Sequence, residues 1–371
     1  MTEIPQETLS ATSAWGAALS TAVCEKCHWR YLVDAHTTPS LCPNCYQVKL
    51  SILPQGLPDM PHPYPPELAL PFQVPEGRLA QAIQGFSKGI PFAPAGLNPT
   101  ELSTRMRKIF LPVWLVDGEV SAIWQAEAGF HYDVVSYQEI YDQNRSGWKS
   151  NEAKETRVHW EDRVGSMQRT YQNLAVAAID DTTLLDKQLG GFNLKSSEPY
   201  QADVVAQSIV RLPDHAPKEA ANEAWLVFQQ TAAQDCQQAC AAEQIRQFRW
   251  KAQFANLNWT LQLLPVYSTF YLDDDGHPQP VLIHGQTGSI TGIRKASSRR
   301  AGKTGLVLLV VSILILLIGL LLDAVLAGRY PGLSAITTVL TLAGLVGLPC
   351  AALPYIIVVD FNRRQAGERS R

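Results

Sequence analysis

The sequence predicts an α+β chain in three parts: an amino-terminal cysteine ribbon, an antiparallel-sheet-rich body with one long helix, and a carboxy-terminal apolar helical hairpin. Three observations carry this. Two C-x-x-C pairs, Cys24 with Cys27 and Cys42 with Cys45, stand fourteen residues apart near the start. Turn-punctuated, strand-like segments fill the middle around a single long amphipathic stretch. Two apolar runs close the chain, each long enough to cross hydrocarbon. The 371 residues carry a net charge of -3, which gives no global pull towards nucleic acid, so function has to be sought locally.

Residues 1–20 lack both the basic start and the sustained apolar core of a secretion signal and read as a loosely ordered tail. The ribbon follows at 21–50. Each C-x-x-C presents two thiolates from one tight knuckle, and two knuckles complete a tetrahedral sulfur shell for zinc at Cys24, Cys27, Cys42 and Cys45. Such a shell is closed and therefore structural, with His28 a neighbour and not a ligand. Two other chemistries use part of this pattern. Cys24 to His28 spells C-x-x-C-H, the haem-attachment signature, but that assignment leaves Cys42 and Cys45 without a role. A redox dithiol would call for a thioredoxin-like strand and helix pattern, which does not surround these cysteines. Lys26, Arg30 and Lys49 set against Glu25 and Asp34, with Trp29, Tyr31 and Tyr46 nearby, form a weak footprint for nucleic acid. Stapling of a small segment, or protein contact, is the stronger expectation.

Residues 51–76 are a linker: eight of the twenty-two residues from Pro54 to Pro75 are proline, which stiffens the chain and lets the ribbon stand away from the body. The body, 77–296, opens with an amphipathic helix over Gly77–Phe86. "FLPVWLVDGEVSAIW" from Phe110 is echoed by "LLPVY" from Leu263, each opening a strand-rich stretch. Strand signals also lie at Thr156–Trp160 and Tyr171–Ala177. From Val266 the chain reads as a meander: strand to Tyr271, turn at Asp273–Gly276, strand Pro280–His284, turn at Gly285–Gly288, and strand Ser289–Ile293. Asp273 and Asp275 resemble part of a calcium loop, but the distal glutamate is missing and a solvated turn is expected. Lys218–Trp250 is helical by periodicity, with Ala221, Trp225, Phe228, Ala232, Cys236, Ala239 and Cys240 on one stripe. Cys236 and Cys240 are expected as packed core.

At the carboxy terminus, Gly302-Lys303-Thr304 ends like a phosphate-binding loop, but Ser297 stands where its first glycine is required. The chain is then apolar from Leu306 to Ala327, apart from Ser312, Gly319 and Asp323. The sequence therefore predicts membrane helices over 304–328 and 333–359, joined as a hairpin, with a basic tail at 360–371. Arg294, Lys295, Arg299, Arg300 and Lys303 precede the pair and Arg363, Arg364, Arg369 and Arg371 follow it, whereas the connection has only Arg329. Both ends are expected in the cytosol, making a multi-pass inner-membrane protein. Pro354 is expected to kink the second helix, and Asp323 to reach water near the outer interface.

Several segments resemble one family of bacterial zinc-ribbon membrane proteins, sometimes labelled primosomal-helicase-like: the paired C-x-x-C, "GFSKGIPFAPAGL", "VHWEDRVGSMQRTYQNLAVAA", "NEAWLVF" and "IHGQTGSITGIRKAS". The resemblance implies a cytosolic ribbon and body on carboxy-terminal membrane helices. Tyr46 departs from it, standing where relatives usually place glycine. No helicase motor accompanies the ribbon. The histidines are dispersed, and Glu161, Asp162, Asp180 and Asp181 lie in polar stretches where solvation accounts for them, so no enzyme is expected. The leading expectation is a membrane-anchored adaptor or scaffold that gathers protein partners, by analogy with some relatives in envelope stress. A nucleic-acid-binding role comes second, and an ion or solute path through an oligomer of hairpins, suggested by Asp323, third.

Overall fold

The computed structural model describes residues 15–38, 40–53, 62, 64–142, 146–180, 189–326 and 334–369. It is a mixed α+β structure organised by one large sheet. Three long strands dominate: β5 (Arg107–Asp142), β6 (Gly147–Ala177) and β9 (Gln244–Leu272). The shorter strands are β1 (Leu19–Val23), β2 (Arg30–Asp34), β3 (Ser51–Ile52), β4 (Leu68–Ala69), β7 (Glu198–Pro199), β8 (Ile209–Arg211), β10 (Pro278–His284) and β11 (Ile290–Gly292). The main path runs β11-β10-β9-β5-β8-β2-β1-β3, with β6 on the free edge of β5. Pairing is antiparallel except for β4 with β9 and β5 with β8. The expected meander is present as the end of β9, β10 and β11.

The echoed motifs turn out to be neighbours. Leu111 faces Leu264, Pro112 faces Leu263 and Phe110 faces Pro265 across the β5–β9 ladder. Proline cannot donate to a ladder, so a central strand tolerates it only where one edge is unpaired. Pro112 lies in such a gap: β8 pairs with β5 at Ile109 and Phe110, and β6 takes over from Val113. Pro265 lies just before Val266, where pairing with β10 begins. The gap at Pro265 is filled by the turn after β10, where Gly285 donates to the Pro265 carbonyl at 2.9 Å. A Cβ on Gly285 would lie 2.6 Å from the Pro265 Cβ, so only glycine fits there.

Beyond this base the sheet narrows. β9 pairs with β5 as far as Gly129, and β5 and β6 continue alone from Phe130 to Asp142. At about 3.3 Å per residue, β5 spans roughly 120 Å. Bulges bend so long a ribbon and sharpen its local twist. Positive φ at Asn173, Asn256 and Gln247 coincides with the register shifts opposite Val116/Gly118, Asp117/Glu119 and Gln125/Glu127.

Seven α-helices are present among the described residues. They are α1 (Glu76–Ser87), α2 (Pro99–Arg105), α3 (Ala202–Val205), α4 (Pro217–Ala239), α5 (Ser298–Leu326), α6 (Ser334–Cys350) and α7 (Leu353–Arg369). α4 lays Ala220, Ala224, Phe228, Ala232 and Cys236 on the long sheet, against Trp114, Val120, Tyr171 and Trp124. Cys236 and Cys240 are buried core, as their spacing suggests. α4 is shorter than its periodicity predicts. Ala241 takes a positive φ, and from Gln244 the apolar residues alternate as strand β9.

Three further expectations are revised. Residues 1–14 of the expected tail lie outside the described residues, but Trp15 is buried, edge-on to Tyr200, and β1 begins at Leu19. Much of the proline-rich stretch, 54–61 and 63, also lies outside them. The cysteine segment does not stand away from the body: β2 pairs with β8, which pairs with β5, so it is part of the main sheet. The basic tail is helical, because α7 runs to Arg369.

α5 and the α6–α7 pair are long and apolar enough to cross a membrane, and only 11% and 17% of their most apolar windows are buried, unlike a core helix. The expected connection, 328–332, lies within 327–333, outside the described residues. The second helix breaks at Ala351–Ala352, between Pro349 and Pro354. The two helices pack through small residues: a Cβ on Gly344 would lie 2.6 Å from the Leu316 nitrogen, and one on Gly319 would lie 2.7 Å from Thr341 Oγ1. Their near ends join the body core, where Ala301 and Val358 pack with Tyr271, Ile283 and Phe86. Asn362 closes the joint by bonding the N–H and C=O of Ala296, at 2.8 and 3.2 Å.

Candidate metal centre

Two tight turns bring the four amino-terminal cysteines together. In the first, His28 donates to the Cys24 carbonyl at 2.8 Å and Cys27 N–H points at Cys24 Sγ at 3.5 Å. In the second, Tyr46 donates to the Cys42 carbonyl at 2.9 Å. Each turn ends in a left-handed residue, His28 at φ 60° and Tyr46 at φ 53°. The β1–β2 ladder and the Leu41–Lys49 bridge hold the turns face to face.

All four Sγ atoms lie within 4.8 Å of one another, with Cys24–Cys45 at 3.5 Å and Cys27–Cys42 at 3.6 Å. A tetrahedral ion with metal–sulfur bonds of about 2.3 Å needs sulfurs about 3.8 Å apart, so the cluster can hold a metal with little adjustment. Cys24 and Cys42 are fully buried. The Cys42 hydrogen bond lowers the Cys27 thiol, the same bond and burial push Cys42 up to about 12, and burial raises Cys24. The Tyr31 hydroxyl, held far above the phenol range by burial and by Cys42, lies in hydrogen-bond contact with Cys42 Sγ at 3.6 Å. Both pairs enter one cluster, so the haem signature at Cys24–His28 has no separate pair to itself.

Two contacts that the sequence did not reveal lock this centre to the sheet. Tyr46 is buried and stacks on Phe270 of β9 at 4.4 Å. Its hydroxyl bonds Ser268, whose own hydroxyl donates to the Pro43 carbonyl at 3.0 Å. Burial raises its hydroxyl above the usual phenol value. Arg211 of β8 is 1% exposed, lies over the Trp29 ring at 4.6 Å, and holds Asp214 through two bonds of 2.6 and 2.7 Å. Its only sequence trace is the short Arg-Leu-Pro-Asp run, which by itself signals a turn.

Other candidate residues resolve differently. Asp273 is buried and not solvated as expected: it accepts from Asp275 and His277 N–H at 3.0 and 2.9 Å, from Lys295 Nζ at 2.8 Å and from Gln279 at 3.1 Å. Burial pushes its carboxyl up, but Lys295 and the backbone donors outweigh that and hold it below the usual carboxylate range. Although Asp273, Asp275 and His277 approach one another, the Asp273 oxygens are already engaged. Glu161 pairs with Arg163, and Asp180 with His215, both at the surface; Asp181 lies outside the described residues. Asp323 accepts from Thr337 at 2.7 Å, a bond between the two apolar helices.

Family models, curated proteins and solved structures were compared with the chain, and none matches.

Proposed function

We propose that the chain is a non-catalytic, zinc-stabilised adaptor, tethered by a two-helix membrane hairpin and presenting its long β-arm to protein partners in the cytosol. The carrying observation is the arm. Its Arg107 end adjoins Ser268 beside the apolar helices, and its far end, some 35 residues along the strand by a rise of about 3.3 Å each, leaves Tyr137, Tyr141 and Trp148 exposed. A two-stranded ribbon is marginally stable alone in water, and exposed aromatics are the usual anchors of protein interfaces. Four thiolates in a closed shell favour zinc in a structural role. The lysine and arginine residues flanking the helices on one side support a cytosolic body. The ribbon's own aromatics support a protein role over nucleic acid: Tyr31 and Tyr46 are buried and Arg211 occupies one face of Trp29, leaving little aromatic surface on which bases could stack.

A photo-crosslinking residue in place of Tyr137, with Tyr64 as the control site, tests this in cells. Protein adducts at Tyr137 and not at Tyr64 are expected. No adduct at Tyr137 or Trp148, in a chain that stays membrane-bound after carbonate washing, overturns the adaptor reading.

A further inference from the structure

The point where α5 leaves the body holds a cavity of about 410 Å³. Four basic side chains line it: Arg105 from α2 and Arg299, Arg300 and Lys303 from the first turns of α5. Its acidic residues are already committed. Glu101 pairs with Arg105 at 2.5 Å, and Asp273 is saturated by Lys295, Gln279 and two backbone donors. Asp274 accepts from the Ser297 hydroxyl at 2.5 Å and from Arg299 N–H at 2.9 Å, and Ser297 Oγ accepts from Arg300 N–H at 3.0 Å. The helix N–H donors are thus used by the chain itself, Arg105 and Arg299 are paired with Glu101 and Asp275, and the cavity's remaining cationic capacity lies in Arg300 and Lys303. Arg300 spends one nitrogen on the Ala93 carbonyl at 2.8 Å, and Lys303 has no side-chain partner among the described residues.

Depth identifies the ligand class. Leu306 to Val325, apolar but for Ser312, Gly319 and Asp323, covers 20 residues, about 30 Å of helix, which equals the hydrocarbon thickness. Lys303 lies three residues before it, about 4.5 Å outside the hydrocarbon edge, at the phosphate level. Directly below, Val307 and Val310 are 61% and 49% exposed and continue the Lys303 face.

We propose that this cavity binds the phosphodiester headgroup of an anionic phospholipid, with Arg300 and Lys303 as its main contacts and one acyl chain along Val307 and Val310. The inference rests on the reading of α5 as a membrane helix. Full-length protein is reconstituted in phosphatidylcholine bilayers containing phosphatidylglycerol, then extracted, and retained lipid is counted by native mass spectrometry. Wild type retains phosphatidylglycerol over phosphatidylcholine, and Arg300→Gln with Lys303→Gln lowers that retention at least about tenfold. The pair Arg363→Gln with Arg364→Gln removes the same charge outside the cavity and leaves retention unchanged, with circular dichroism confirming that both variants fold. Equal loss in both pairs, or no preference in wild type, overturns the site while leaving the membrane reading intact. Failure to float with vesicles of any composition overturns the membrane reading as well. Millimolar inorganic phosphate separates the sources: lipid retained in its presence supports the headgroup, and lipid displaced by it assigns the cavity to soluble phosphate and overturns the lipid assignment.

Discussion

Replacing Tyr46 by glycine separates the two tasks of the second knuckle. A left-handed backbone costs a non-glycine residue about 1–2 kcal/mol, so Tyr46→Gly relieves that strain and keeps the turn that aims Cys42 and Cys45. Against this, removing a buried aromatic side chain costs about 3–5 kcal/mol, including the stack on Phe270. The lost hydroxyl bond to Ser268 adds about 1 kcal/mol. The balance is a loss of about 3 kcal/mol, falling on the contact between knuckle and β9 and not on the sulfur cluster. Metal content, read by inductively coupled plasma mass spectrometry, should be the same in the variant as in wild type, with one ion per chain expected for both. Hydrogen exchange at Cys42–Val48 and at the β2–β8 ladder should accelerate by about a hundredfold. Loss of metal with unchanged exchange protection would refute the reasoning, because it would make Tyr46 a determinant of the shell and not of docking.

The remaining predictions address the shell, the turn, the core and the hairpin. Cys42→Ser should abolish stoichiometric metal binding and expose Trp29, seen as a shifted tryptophan emission. Asp273 has a folded-state pKa below its unfolded value, so its stabilisation is present above the ordinary carboxylate range and is lost as pH falls through the lowered value. Asp273→Asn should therefore flatten the acid limb of a melting-temperature profile, and an unchanged limb would show that the Lys295 pairing contributes nothing. Phe228→Ala should destabilise the α4–sheet contact by about 3–4 kcal/mol, measured by denaturant titration in detergent. Gly344→Leu would force side-chain atoms into the Leu316 backbone and should splay the hairpin, lowering thermal stability in detergent; a neutral result would rule out close packing of these helices at Gly344.

How much of this was legible in the sequence depended on the range of each signal. The cysteine cluster was, because four sulfurs at C-x-x-C spacing define a site with little outside help. Both apolar helices were, because an apolar run long enough to cross a membrane stands out by length and composition whatever it packs against. α1 and the meander after Val266 followed from local period, and so did Phe228, Ala232, Cys236 and Cys240 of the α4 stripe. The buried face, however, runs through Ala220 and Ala224 while Trp225 and Ala239 are exposed, and the stripe ran on past Ala241, where a left-handed residue switches helix to strand. Strand signals at Thr156–Trp160 and Tyr171–Ala177 were fragments of one strand, because a ribbon exposed on both faces has no alternating pattern to betray its length.

By itself, then, the sequence determined the elements whose stability is local: the cysteine knuckles, the amphipathic helices and the long apolar runs. Tertiary structure alone decided that the cysteine module joins the main sheet through β8, that Tyr46 and Arg211 fasten it there, and that Pro112 and Pro265 sit where the central strands change partners. These depend on pairings between segments far apart in the chain. A strand edge or a buried guanidinium acquires its partner only when the whole sheet is assembled.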